Sequence, residues 1–253
     1  MEKLKQNDRS KIKHILAVTS GKGGVGKSFL SSLIASQLQR MGHQVGILDA
    51  DITGPSIPKA FGLGSQAYSD GTYMLPEESR LGIRIMSVNL ILEDPTQPLV
   101  WRSSLINQAL EQFYEEVAWG DLDYLIIDMP PGTGDVALTT YQRIPLDGII
   151  MVSSPQDLVG MIVEKSINMA KKVQVPLVGL VENMSYLTCP SCLDAIELFG
   201  PSKLREEGEK FAIDNLLKVP LDPDFRQRVD KGQVEAIQVK GLEDFCRKLP
   251  GQK

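Results

Sequence analysis

The segment Ser20-Gly21-Lys22-Gly23-Gly24-Val25-Gly26-Lys27-Ser28 joins an apolar run, Ile15-Leu16-Ala17-Val18, to a stretch in which Leu30, Leu33, Ile34 and Leu38 recur at helical spacing. Strand, glycine-rich turn and helix, in that order, form the setting of a phosphate-binding loop. Glycines let backbone N–H groups converge on an anion with no Cβ in the way. The first turn of the following helix adds its positive end. On this reading Gly21, Lys22, Gly23, Gly24, Val25, Gly26, Lys27 and Ser28 surround a nucleotide. Lys27 reaches the β- and γ-phosphates and the Ser28 hydroxyl ligates Mg²⁺. A merely flexible glycine loop is the alternative, and the full set of fixed positions in this setting argues against it.

Lys22 is a cation that such a loop does not require. It lies too close in sequence to Lys27 to serve the same phosphates from the same side. It can instead leave its own loop and meet the nucleotide of a facing copy of the chain; taken alone, it reads as a solvated surface lysine. Two aliphatic runs then end in acids. One leads into Asp128-Met129-Pro130-Pro131-Gly132-Thr133-Gly134-Asp135, the other into Asp49-Ala50-Asp51-Ile52-Thr53-Gly54-Pro55-Ser56. An apolar strand ending in Asp is the Walker-B pattern, whose acid holds Mg²⁺, usually through water. Many strands end in Asp for reasons of turn geometry, so Asp128 draws its weight from the glycine loop. Asp51 is placed to orient an attacking water or reach the metal, and Asp49 to cap or brace the loop.

Cys189-Pro190-Ser191-Cys192 admits several chemistries. A disulfide oxidoreductase would open a helix of a thioredoxin-like fold with this motif, and the rest of the chain does not follow that pattern. A structural zinc site takes four ligands, while Cys246, His14 and His43 lie far away in sequence. Two chains donating one pair each would complete a four-thiolate site for a 4Fe–4S cluster or a zinc ion on a dimer axis. Two reduced cysteines packed as small apolar residues are the bland alternative. Cys246 reads as a helix residue without a role. Lys22 and the cysteine pair thus both ask for a symmetric dimer with opposed glycine loops.

These residues need strand ends to hold them. The apolar patterning predicts strands over His14–Thr19, Gln44–Asp49, Ile83–Val88, Tyr124–Asp128, Gly148–Ser153, Leu177–Glu182 and Leu216–Val219. Helices are predicted over Phe29–Met41, Ser104–Val117, Leu158–Lys172 and Lys203–Asp214. Strands apolar through their length are buried on both faces. Their alternation with helices predicts an α/β fold, a doubly wound, mostly parallel sheet with helices on both faces. Ligands of such sheets bind beyond the carboxyl ends of the strands. With 253 residues and no repeat or long linker, the chain reads as a single domain over 1–253. Residues 1–12 read as a flexible tail, Gly62–Leu81 as a surface excursion and 241–253 as a short C-terminal segment. A net charge of −5 argues against a nucleic-acid-binding surface. No apolar run approaches a membrane span and the N-terminus lacks a signal-peptide core. The expectation is a cytoplasmic protein with neither nucleic acid nor membrane as partner, where three cysteines are no disulfide framework.

The motifs together resemble the Mrp/ApbC-type ATPases, iron–sulfur carriers in the MinD-like branch of P-loop NTPases with a deviant Walker A. The likeness rests on Gly21 to Ser28, Asp49 to Ser56 and Asp128 to Asp135. It continues through Glu182-Asn183-Met184-Ser185, Cys189, Cys192, Phe199-Gly200 and Val219-Pro220-Leu221-Asp222-Pro223. The resemblance implies a slow, Mg²⁺-dependent ATPase, a homodimeric carrier that assembles a 4Fe–4S cluster and transfers it to apo iron–sulfur proteins, with scaffold proteins as further partners. It also implies that Lys22 acts across the dimer beside Lys27 and Asp51, and that Asp51 lies in the first switch. Ser28, Asp51 and Asp128 would serve Mg²⁺, Asn183 the adenine base, and Cys189 and Cys192 the bridging cluster. The chain departs from the pattern at Phe29, where a second small hydroxyl residue is usual. It departs again at Pro201-Ser202-Lys203, in place of a glycine-rich run, and at Met161-Ile162-Val163, where an Asp is usual. A MinD/ParA-like positioning ATPase working on a membrane or DNA is the alternative. It would want a basic amphipathic C-terminal helix, and Glu243-Asp244-Phe245-Cys246-Arg247-Lys248-Leu249 is short and mixed in charge.

Overall fold

Ile15 and Ala17 of strand β1 (Ser10–Ser20) pack to one side of a sheet, Leu16 and Val18 to the other, and all are buried. Successive side chains of a strand point to opposite faces, so an unbroken apolar run can serve two cores at once. The computed structural model describes residues 2–51, 56–64, 67–91, 103–132, 134–156 and 161–252. After β1 come β2 (Val45–Asp49), β3 (Glu77–Glu78), β4 (Arg84–Ser87), β5 (Gly120–Asp128), β6 (Gly148–Ser153), β7 (Leu177–Glu182), β8 (Leu187–Thr188), β9 (Ala195–Ile196) and β10 (Leu216–Lys218). Among the described residues the main sheet has the order β10-β7-β6-β1-β5-β2-β4-β3. Its pairs are parallel except β3 with β4. Strands β8 and β9 form a separate antiparallel hairpin.

Helices cover both faces, as expected for a doubly wound sheet. On one side lie α1 (Lys27–Arg40), α2 (Ile57–Phe61), α7 (Pro223–Asp230) and α8 (Leu242–Arg247), packed on Leu16, Val18, Ile47, Ile126 and Val152. On the other, α3 (Ser103–Glu115) and α4 (Asp135–Arg143) cover Ile15, Ala17, Leu48, Leu125 and Ile127. Helices α5 (Met161–Lys172) and α6 (Leu204–Phe211) close a smaller cluster around Met151 and Leu180. Because β1 lies between β5 and β6, the chain leaves it toward one edge through α1 and returns on its other side at β6. That reversal opens a crevice at the carboxyl end of β1.

Lys3, Leu4 and Asn7, within the segment that the patterning reads as a flexible tail, are bonded to the rest of the fold. Leu4 is buried and its N–H bonds Arg143 O at 2.8 Å. Lys3 Nζ donates to Tyr141 O (2.9 Å) and Ile144 O (2.8 Å), and Asn7 Nδ2 to Glu115 O (2.7 Å) and Val117 O (2.8 Å). Of these acceptors, Glu115 O and Tyr141 O are last-turn carbonyls of α3 and α4 without a partner inside their helices, and Val117 and Ile144 follow the helix ends. Partners so distant in sequence leave no trace in local periodicity. The C-terminal segment is likewise anchored, by α8 and by Tyr124 OH on Pro250 O at 2.7 Å. Within Gly62–Leu81, β3 joins the sheet edge. The start predicted for α5, residues 158–160, lies outside the described residues.

Candidate functional site

Gly24 (φ 84°) and Gly26 (φ 82°) hold left-handed backbone, which costs glycine little and other residues more. Gly26 is the N-cap of α1, and the first turn carries neither a capping side chain nor an acid. The first intrahelical bond, Leu30 N to Gly26 O at 3.0 Å, leaves the N–H groups of Lys27, Ser28 and Phe29 unspent within the helix, which is what an anion site needs. A Cβ on Gly26 would run into the Asn183 carboxamide. That carboxamide donates from Nδ2 to Val25 O at 2.9 Å, so the end of β7 is tied to the loop after β1.

The predicted acids converge on Lys27. Its buried ammonium donates to Asp128 Oδ2 at 2.9 Å and lies 3.6 Å from Asp51 Oδ2. Asp128, wholly buried, also accepts from Ser28 Oγ and Ser31 Oγ, each at 2.6 Å. Asp49 is the register partner of Asp128 on β2, but it accepts from Ser87 Oγ (3.0 Å) and from the Asp51 N–H (3.2 Å). The geometry separates the two acids: Asp51 faces the lysine, and Asp49 braces the turn that carries it. Burial and the charge of Asp128, partly offset by Lys27, push the Asp49 carboxyl up to about 8. Lys22 is exposed on the loop; its carbonyl accepts from Ser20 Oγ at 2.9 Å. Of the motif segments, 52–55 and 133 fall outside the described residues. Ser31 and Ser87 were invisible to motif reading, since a lone serine in a helix or at a strand end carries no signature.

Two cavities meet over this loop. One of about 280 Å³ is lined by Ser20, Gly23, Lys27, Ser28, Asp51 and Pro131, among others. The second, also about 280 Å³, is lined by Asn183, Met184, Pro220, Leu221, Phe225 and Val229. The first has the donors and acids of a phosphate and metal site. The second is mostly apolar and suits a nucleoside. The family resemblance singled out Asn183 but not Phe225, although Asp222-Pro223 was a usable helix-start signal: Asp222 Oδ1 caps Asp224 N at 2.8 Å with Pro at the first helical position.

The cysteine motif forms the tip of the β8–β9 hairpin, an element the patterning did not predict. Cys189 N bonds Asp194 O and Leu193 N bonds Cys189 O, both at 2.9 Å. Cys192 is exposed and Cys189 half-buried. The backbone N–H groups of Cys192 and Ser191, with the Cys192 side chain, hold the Cys189 thiol below its ordinary range. Such donors favour the thiolate, the form that binds metal. Cys246 lies buried on α8, where desolvation pushes its thiol up to about 12. Among the described residues no three His, Cys, Asp and Glu side chains gather as a metal site, and no helix is long and apolar enough to cross a membrane.

The ParA family model described as NUBPL iron-transfer P-loop NTPase matches residues 11–248. The chain belongs to this family. The iron-sulfur cluster carrier protein of Methanocaldococcus jannaschii is 41% identical over 246 residues, 96% of this chain and 84% of the relative. That of Pyrococcus furiosus is 41% identical over 242 residues, 91% and 81% of the two. Among solved structures, the nucleotide-binding protein of Archaeoglobus fulgidus in complex with ADP, with cobalt found by PIXE, matches at a TM-score of 0.83 and 41% identity over 92% of both chains. The Aquifex aeolicus MinC:MinD complex matches at 0.67 and 18% identity over 95% of this chain and 96% of that one, a likeness of fold alone. As a P-loop NTPase of the iron-transfer family, the chain is a nucleotide-binding protein.

Proposed function

We propose that the chain is an ATP-hydrolysing homodimeric carrier that holds a 4Fe–4S cluster between two copies and transfers it to apo iron–sulfur proteins. The observation that carries this is the hairpin: two thiols at an exposed tip, one favoured as thiolate by backbone N–H groups, joined through Asn183 to a nucleotide site. A pair supplies half of a four-thiolate set, and a symmetric partner supplies the rest. Its surroundings support a buried interface, for Leu193, Ile196, Leu198 and Phe199 are exposed and suit a partner surface. The relatives named as iron-sulfur cluster carriers point the same way. A cytoplasmic setting, where thiols stay reduced, belongs to the same proposal, as do apoprotein and scaffold partners without nucleic acid or membrane.

In this reading the loop N–H groups and Lys27 bind the phosphates and neutralise charge as it develops on them. Asp51, beside Lys27, accepts a hydrogen bond from the attacking water and aligns it with the γ-phosphorus. Lys22 of the facing copy approaches the same phosphates from outside. The hard oxygen donors Ser28 Oγ, Asp128 and Asp51 fit Mg²⁺; when bound, that ion neutralises phosphate charge. Asn183 contacts the base. Anaerobic reconstitution followed by iron and sulfide analysis tests the carrier role. The parent chain is expected to load a cluster and Cys189→Ala/Cys192→Ala to load none; equal loading overturns it. Phosphate release tests hydrolysis, which Lys27→Ala should abolish.

A further inference from the structure

Phe29 stands at the third position of α1, one residue past Ser28. A small hydroxyl side chain there would offer a phosphate one more donor, which a phenyl ring cannot. The ring is half-buried, and it lines both cavities, together with Gly24, Gly26 and Val229. Phe225 of α7 also lines the second cavity and packs beside Phe29, its ring centroid 5.8 Å from that of Phe29 and inclined by 39°. Pro220, Leu221 and Met184 continue this apolar wall. One hydrogen of the Asn183 Nδ2 at its edge is spent on Val25 O, which leaves the other for a base.

We propose that Phe29 and Phe225 are specificity-determining residues, an aromatic wall that takes the face of a purine ring. This rests on the reading of the site as an ATP site. Aromatic and apolar contact grows with the area of the ring covered, so a purine nucleotide gains more from this wall than a pyrimidine one, and an inorganic polyphosphate gains nothing. Part of the affinity that a hydroxyl at position 29 would supply at the phosphates is thereby moved to the nucleoside.

Titration calorimetry of the full chain with ADP, CDP and tripolyphosphate separates these contributions. The parent is expected to bind ADP at least several-fold more tightly than CDP. Phe29→Thr should weaken ADP about tenfold, equivalent to ~1.4 kcal/mol, narrow the ADP–CDP gap and leave tripolyphosphate binding equal or stronger. Phe225→Ala, on a more exposed helix, should act in the same direction, and Phe29→Leu should recover part of the loss. Unchanged ADP binding in Phe29→Thr and Phe225→Ala overturns the inference while leaving the ATP site intact. So does an equal loss of ADP and tripolyphosphate. A parent chain that binds neither ADP nor tripolyphosphate overturns the ATP reading and this inference with it.

Discussion

Asp49 and Asp128 are paired in register on adjacent strands, both buried, yet their surroundings differ. Asp128 has an ammonium and two hydroxyls against it, whereas Asp49 has a hydroxyl and one backbone N–H. Two buried carboxylates side by side are costly, and the less compensated one keeps its proton. With the Asp49 carboxyl raised to about 8, the folded state holds a proton that the unfolded chain releases near the ordinary value of ~4. Stability therefore falls as pH rises between those limits. The slope of that loss is on the order of 1 kcal/mol per pH unit, and it ends above the folded value. Asp49→Asn, which carries its hydrogens at every pH, should flatten this slope. Thermal melts of both proteins from pH 5 to 8 check it: the variant gains on the parent as pH rises, and parallel curves refute the assignment. Sequence alone offered Asp49 and Asp51 as rivals. Their environments, set by Ser87 and Lys27 from other strands and helices, divide the roles.

Helices α2 and α7 meet where Gly62 and Gly232 bring their backbones together. Gly232 has φ 67°, and a Cβ there would overlap the Gly62 backbone. Helix α2 carries Ala60 of the phosphate cavity and α7 carries Phe225 and Val229 of the nucleoside cavity, so this close approach sets the width of the combined site. Gly232→Ala should cost about 1–3 kcal/mol from left-handed backbone strain, with the clash added, and should weaken ADP binding; an urea melt and a titration measure the two effects. At the other end of the sheet, Leu4→Ala should cost about 2 kcal/mol by the same melt if the N-terminal segment is part of the core as packed here. An unchanged midpoint would mean that the segment contributes nothing. The long strands and the helices α1, α3, α5 and α6 were legible from their apolar patterning, whereas the nine-residue α4, which follows Asp128 to Asp135, was not predicted. Short elements such as α2, α7 and the β8–β9 hairpin were not, since turn chemistry and tertiary packing define them more than periodicity does.

At the scale of the assembly, the proposal makes the monomer incomplete twice: in its thiolate set and in the second cation for the nucleotide. Sedimentation should find the cluster-loaded parent as a dimer and Cys189→Ala/Cys192→Ala as a monomer under the same anaerobic conditions; a dimer in both would remove the thiolates from the interface. Lys22→Ala should lower ATP hydrolysis at least tenfold while ADP binding stays unchanged. A parallel loss of binding would return Lys22 to its own loop.

The α/β class, the identity of the glycine loop, the acids and the thiol pair were determined by the sequence itself. Strand periodicity and the backbone demands of a phosphate loop are local and appear in consecutive residues. Tertiary structure alone decided which acid meets Lys27, that Ser31 and Ser87 complete the polar network, and that Phe29 finds Phe225. It also turned the N-terminal residues into a clasp on α3 and α4. Each of these depends on groups distant in the chain and brought together by sheet order, and burial then sets the charge each can carry.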